Sequence, residues 1–225
     1  MKFKSLFLFL MFLAGLYNYV IADEIALYPT GPSQDSSFVR FVNGTESVLE
    51  ITAAESKNKI KLDSSRPSTN YYPVKAKSKI SGKFIFSDTQ SNIDLSVKPG
   101  EFATVIALPA TNGKGLRQVI VREEPDDFNA LKVSLSLYNL DSTCTLAGLN
   151  ASGRAVSLFK QVAVGKMERR SINPVKISVD LLCDGKLVAT PLNLGDLQAG
   201  QRYSIFVMPS SKGSRMFIAT DTVAH

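Results

Sequence analysis

Hydrophobic and polar residues alternate with a period of two along much of the chain. Val133, Leu135 and Leu137 alternate with Ser134 and Ser136. Val175, Ile177, Val179 and Leu181 alternate with Lys176, Ser178 and Asp180, and Ile93, Leu95 and Val97 with Asp94 and Ser96. Successive side chains of a strand point to opposite faces, so this pattern predicts strands with one apolar and one polar face, as in a sheet packed on one side only. Apolar runs bounded by Gly, Pro, Asn or Ser predict further strands at residues 38–42, 49–53, 83–86, 102–108, 116–121, 203–208 and 215–219. Residues 54–80 are polar and read as loop with one short strand at 60–62. Helix signatures are few. Short strands at this density predict an all-β protein made of β-sandwiches of Ig or jelly-roll type.

The two halves carry the same punctuation. Lys98-Pro99-Gly100-Glu101 leads into an apolar run ending at Leu108-Pro109, and Gln198-Ala199-Gly200-Gln201 leads into one ending at Met208-Pro209. Gly113 and Gly213 follow at the same spacing. Upstream, Pro73-Val74-Lys75 matches Pro174-Val175-Lys176, and Phe41-Val42-Asn43 matches Leu137-Tyr138-Asn139. Turn residues recurring in one order predict a duplicated module, hence two tandem β-sandwich domains. The charged, Pro-containing run from Arg122 to Asp127 lacks apolar periodicity and reads as a linker. The expected organisation is residues 23–122 for the first domain, 123–128 for the linker and 129–225 for the second.

Residues 1–22 have the three-part layout of a cleavable secretory signal: Lys2 and Lys4, an apolar run from Leu6 to Leu16, then Val20-Ile21-Ala22 ahead of Asp23-Glu24. The run is short for a membrane span of about 20 residues. Export changes how charge is read. Without residues 1–22 the net charge falls from +6 to +4, because two lysines and no acids are removed. Nucleic acid is not expected as a partner outside the cytoplasm. Anionic polysaccharide, anionic lipid or an acidic protein fits better. Cys144 and Cys183 are the two cysteines, and in an oxidising compartment they are expected to pair. By alternation from Val175, Cys183 has inward parity.

Candidate chemistry is sparse. The single histidine is His225, so a Ser-His-Asp triad, a Cys-His pair and a His-rich metal site have no candidate except this C-terminal residue. There is no G-x-S-x-G elbow, P-loop or G-x-G-x-x-G. Glu123-Glu124 and Asp126-Asp127 are adjacent pairs in the expected linker, not carboxylates facing each other across a bond. No cofactor or metal is expected. Asn43-Gly44-Thr45 and Asn150-Ala151-Ser152 are formal glycosylation sequons that read equally well as turns. Candidate contacts to a partner or polymer are the basic cluster Lys166, Arg169 and Arg170 with the following Asn173 and Lys176, the Tyr71-Tyr72 pair, and Arg40. Arg40 reads either as an outward charge or as a paired buried one.

Three segments carry a resemblance. Ala26-Leu27-Tyr28, Ser37-Phe38-Val39-Arg40-Phe41-Val42-Asn43 and Arg170-Ser171-Ile172-Asn173-Pro174-Val175-Lys176 resemble the alginate O-acetylation accessory family AlgF. The layout of signal and two β modules is similar too, whereas residues 44–97 do not contribute. The resemblance implies a periplasmic, non-enzymatic accessory for O-acetylation of alginate or a related exopolysaccharide. Its implied partners are periplasmic SGNH-type acetyltransferases, with a membrane acyltransferase and an anionic polysaccharide as further candidates. Competing readings are a polysaccharide-binding protein and a two-domain periplasmic chaperone that recognises partners by strand addition. An acetyltransferase working through a Ser or Thr ester lacks a visible base.

Overall fold

The computed structural model describes residues 36–224 apart from 55, 112–113, 124–128, 155 and 189. The expected signal, residues 1–22, and the Ala26-Leu27-Tyr28 segment lie outside the described residues. The described residues fall within one compact unit, Pro32–His225. They form seventeen strands in four sheets and no helix.

The first half, or module 1, contributes two four-stranded sheets. In its inner sheet, β4 (Tyr72–Lys75), β1 (Ser36–Asn43), β7 (Phe102–Pro109) and β8 (Leu116–Glu123) are neighbours in that order. Its outer sheet orders β3 (Lys59–Leu62), β2 (Leu49–Ala53), β5 (Lys79–Phe86) and β6 (Thr89–Ser96). Module 2 repeats the plan. Its inner sheet runs β12 (Met167–Ile172), β9 (Val133–Asn139), β16 (Arg202–Ser210), β17 (Gly213–Thr220). Its outer sheet runs β11 (Ser157–Ala163), β10 (Leu146–Ala151), β13 (Val175–Cys183), which pairs with both β14 (Lys186–Leu187) and β15 (Leu192–Leu197). In each inner sheet one central pair is parallel, β1 with β7 and β9 with β16.

The recurring punctuation marks recurring backbone duties. Gly100 and Gly200 both have positive φ, 73° and 75°, and their amides donate to Ser36 O and Lys132 O ahead of the parallel pair. Asn43 and Asn139 end β1 and β9. Asn43 Nδ2 donates to the carbonyls of Ser47 and Leu62, and Asn139 Nδ2 to those of Cys144 and Val162. Each amide ties an inner strand to its module's outer sheet, which fixes why Asn ends both strands. Asn43 is buried, so its sequon is a turn.

Three cores stack in sequence. Val39, Leu49, Phe84 and Val105 fill the space between the sheets of module 1, and Leu135, Leu149, Val179 and Ile205 that between the sheets of module 2. A third core joins the modules: Val42, Ile106, Leu108, Tyr138, Leu140, Phe206 and Met208. The layers are therefore outer, inner, inner, outer. This corrects the expectation of one-sided packing for the inner strands. Every residue of β9 is buried, so Ser134 and Ser136 face module 1 and not water. The strand at 102–108 reads as an apolar run for the same reason, since Ala103–Leu108 are all buried between two apolar layers. The outer strands β6 and β13 keep the expected alternation.

Two further expectations change. The segment 54–80 is mostly loop and holds the expected short strand as β3, but it also contributes β4 and the start of β5. Glu123, placed in the linker by its charge, is the buried last residue of β8. Cys144 and Cys183 form a disulfide, with Cα atoms 4.9 Å apart, joining the approach to β10 with the end of β13.

Candidate functional site

The largest fully buried side chain is Arg40, on β1. It points from module 1 into the seam between the inner sheets. Its Nη1 meets Asp221 Oδ1 at 2.5 Å, Nη2 donates to Tyr138 Oη at 2.9 Å and Ser204 Oγ at 2.8 Å, and Nε donates to Thr104 Oγ1 at 2.9 Å. Tyr71, Tyr138 and Phe206 present their ring faces to the guanidinium, at 4.5, 5.4 and 5.0 Å from the centroids. Burial opposes the charge, but the carboxylates of Asp221 and Glu123 offset it, and the guanidinium is held above its ordinary pKa. Burial dominates at Tyr71 and keeps its phenol neutral, well above the ordinary tyrosine range, although Arg40 pulls the other way.

A second ion pair crosses the seam in the reverse sense. Glu123 of module 1 pairs with Arg169 of module 2 and accepts a hydrogen bond from Tyr138, while Arg169 Nε donates to Ser136 Oγ at 2.9 Å. The strand registers make this reciprocal. Phe102 pairs with Glu123 as Arg202 meets Asp221, so the two acids hold equivalent places at the ends of β8 and β17. The arginines do not. Arg40 is equivalent to Ser136, and Arg169, opposite Ser136, is equivalent to Tyr71. Each module thus offers one arginine and one acid to the other.

Chemically the cluster is closed. Ser204 Oγ donates to Asp221, at 2.8 and 3.0 Å from its two oxygens, but the serine is fully buried. Among the described residues no group of His, Cys, Asp and Glu could hold a metal. The arrangement locks two modules; it does not admit a substrate. A short parallel bridge reinforces it: Tyr71 N donates to Thr222 O and Ala224 N donates to Tyr71 O, both at 2.8 Å.

Three expected contact residues are therefore placed away from solvent: Arg40 and Tyr71 are buried, and Arg169 is mostly enclosed. The basic cluster does not converge on one surface. Arg169 and Arg170 project to opposite faces of β12, as neighbours on a strand must. Arg170 Nη1 donates to Ser157 O and Leu158 O of β11. Lys132 Nζ donates to Asn173 Oδ1, Lys166 lies exposed in the β11–β12 turn, and Lys176 is exposed on β13. Tyr72 is half-buried and lines an apolar cavity of about 230 Å³ inside module 1.

The sequence profile described as "Alginate O-acetyl transferase AlgF" matches residues 10–204. The chain belongs to the AlgF family. Membership links it to O-acetylation of alginate and accounts for the two resembling segments that fall in β1 and at the β12–β13 turn. Among solved structures, the C-terminal domain of AlgF from P. aeruginosa matches at 22% identity and a TM-score of 0.34, covering 40% of this chain and 98% of that one. The Bacillus anthracis TIE protein matches at 9% identity and a TM-score of 0.27, covering 77% of this chain and 34% of that one. A family CBM26 module from Eubacterium rectale Amy13K, in complex with maltoheptaose, matches at 10% identity and a TM-score of 0.24, covering 83% and 97%. No curated protein matches.

Within this AlgF-family fold, sequence reasoning overlooked Glu123, Tyr138, Ser204 and Asp221. The available signal was parity: Arg40, Ser136 and Ser204 are polar positions inside apolar or alternating strands that occupy related places in the two halves. Such positions facing one another call for a polar layer between the modules.

Proposed function

We propose that this AlgF-family protein is a non-enzymatic periplasmic accessory of alginate O-acetylation, a rigid adaptor that holds acetylation enzymes relative to one another. Its partners in this reading are SGNH-type acetyltransferases and a membrane acyltransferase. The observation that carries the reading is the use made of the reactive side chains. Arg40, Glu123, Tyr138, Arg169, Ser204 and Asp221 are bound to one another across the module seam, where they fix two sandwiches in one relative position. Fixed spacing between two surfaces is what an adaptor needs, whereas a catalyst needs reactive groups open to substrate.

The test is a pull-down of the tagged mature chain from a periplasmic and membrane extract of its host, with mass spectrometry of captured proteins and an acetyl-ester hydrolysis assay on the purified chain. The expected result is recovery of an acetylation enzyme and no hydrolysis above the background rate. Ester turnover by the purified chain alone would refute the non-enzymatic role, and failure to recover any acetylation enzyme would refute the adaptor.

A further inference from the structure

The two modules share a topology but differ at one seam. In module 1 the edge strands β6 and β8 are stitched together. Gln118 Nε2 donates to Ser91 Oγ at 2.7 Å and to Asn92 O at 2.5 Å, and Arg122 Nη1 donates to Ser96 O at 2.9 Å. In module 2 the equivalent edges are β15 and β17. The registers place Met216 where module 1 has Gln118 and Thr220 where it has Arg122. Among the described residues no hydrogen bond joins β15 to β17. The seam opens into a groove of about 480 Å³, within the range of 300–1,000 Å³ usual for binding pockets.

The groove has a definite chemistry. Val188, Leu192 and Met216 give it apolar walls, and Val188 is 44% exposed. Lys212 and Arg215 supply two cations that form no direct ion pair among the described residues. Arg215 Nη2 donates to Thr45 O, while its Nε is buried without a partner. The carboxylate at this end, Glu46, accepts from the amide of Ser211 at 2.8 Å and feels the charges of Arg215 and Lys212 without a direct ion pair to either, which leaves one carboxylate against two cations. Beside the groove, β17 pairs only with β16, so alternate backbone N–H and C=O groups along its outer edge are unpaired.

We propose that this seam is the docking groove for an extended, acidic segment of a partner protein, added as a strand to the free edge of β17. Its aliphatic side chains enter between Val188, Leu192 and Met216, and its carboxylates meet Lys212 and Arg215. Backbone pairing supplies affinity and the alternate side chains supply selectivity. The inference rests on the adaptor reading and assigns it a surface. In module 1 the equivalent seam is closed by Gln118 and Arg122, so the two modules are not interchangeable in binding at this position.

The experiment repeats the pull-down with Lys212→Glu, Val188→Asp and, as a control on the outer sheet of module 1, Lys83→Glu. All three sites are exposed, and unchanged thermal midpoints verify folding. A benzophenone amino acid at position 188 then maps the captured segment. The expected result is at least a tenfold loss of the acetylation enzyme for the first two variants, no loss for the control, and a cross-linked segment containing Asp or Glu. Recovery equal to wild type in both groove variants would overturn the groove and leave the adaptor standing, as would a cross-linked segment without acids. No recovery by the wild type would overturn both.

Discussion

Replacing Asp221 by Ala tests whether the polar layer between the modules is a lock. The substitution removes the carboxylate that meets Arg40 at 2.5 Å and also accepts from Ser204. The guanidinium, 1% exposed, then keeps Thr104, Tyr138 and Ser204 but no directly bonded anion. Breaking one side of a buried ion pair costs about 3–5 kcal/mol. For a chain of this size that lowers the thermal midpoint by about 6–20 °C. Removing both charges, as Arg40→Met with Asp221→Leu, should cost less than the two single changes together, with a coupling above about 1 kcal/mol. Urea unfolding followed by far-ultraviolet circular dichroism and tyrosine fluorescence measures the wild type, Asp221→Ala, the two single variants of the cycle and their combination. The wild type should unfold in a single transition, because three stacked cores bind the layers into one unit. Asp221→Ala should separate this into two transitions, one per module. A loss under 1 kcal/mol, or a coupling near zero, would refute the lock.

Other outcomes follow from local geometry. Reducing Cys144–Cys183, or replacing both with Ser, should cost about 4 kcal/mol for a loop of separation 39 in the chain-entropy model, read from urea midpoints with and without reductant. Gly44→Ala should destabilise by about 1–3 kcal/mol, because the new Cβ would sit 2.5 Å from Leu108 Cδ2 and 2.8 Å from Ala107 O; a midpoint equal to wild type would count against the tight joint there. Glu46 titrates below the usual carboxylate range, first through hydrogen bonding to Ser211, with burial opposing and the charges of Arg215 and Lys212 assisting. A lowered folded pKa means that its contribution is complete above the unfolded value near 4.5 and disappears as pH falls through the folded value. Amide exchange at Ser211 should therefore accelerate, relative to neighbouring amides, below about pH 4.5, and should be pH-insensitive in that window in Glu46→Gln.

The alternating apolar positions of β6 and β13 announced their strands because those sheets have water on one side. The duplicated Gly100/Gly200 and Asn43/Asn139 were legible because backbone duty restricts residue choice. Legibility failed where a strand answers to something other than one apolar face. β10 and β11 meet across register shifts near Leu149, so their apolar residues fall out of period. β12, Met-Glu-Arg-Arg-Ser-Ile, is an edge strand whose charges looked like a surface cluster. The serines of β9 read as a solvated face because a small polar residue beside a buried arginine has the same one-letter pattern as one beside water. The disulfide was readable from parity and compartment. The lock was not, because its members are up to 181 positions apart and only the duplicated topology brings them together.

That separation orders events in time. Arg40 is made early and Asp221 late, so during synthesis module 1 can complete its own core long before its arginine meets its anion. Through that interval Val42, Ile106 and Leu108 lie on the uncovered face of a finished sheet. Contacts this distant in sequence are slow to form, and such a half-covered sheet is prone to wrong associations. The joint closes last, so the protein's yield depends on how long that face waits.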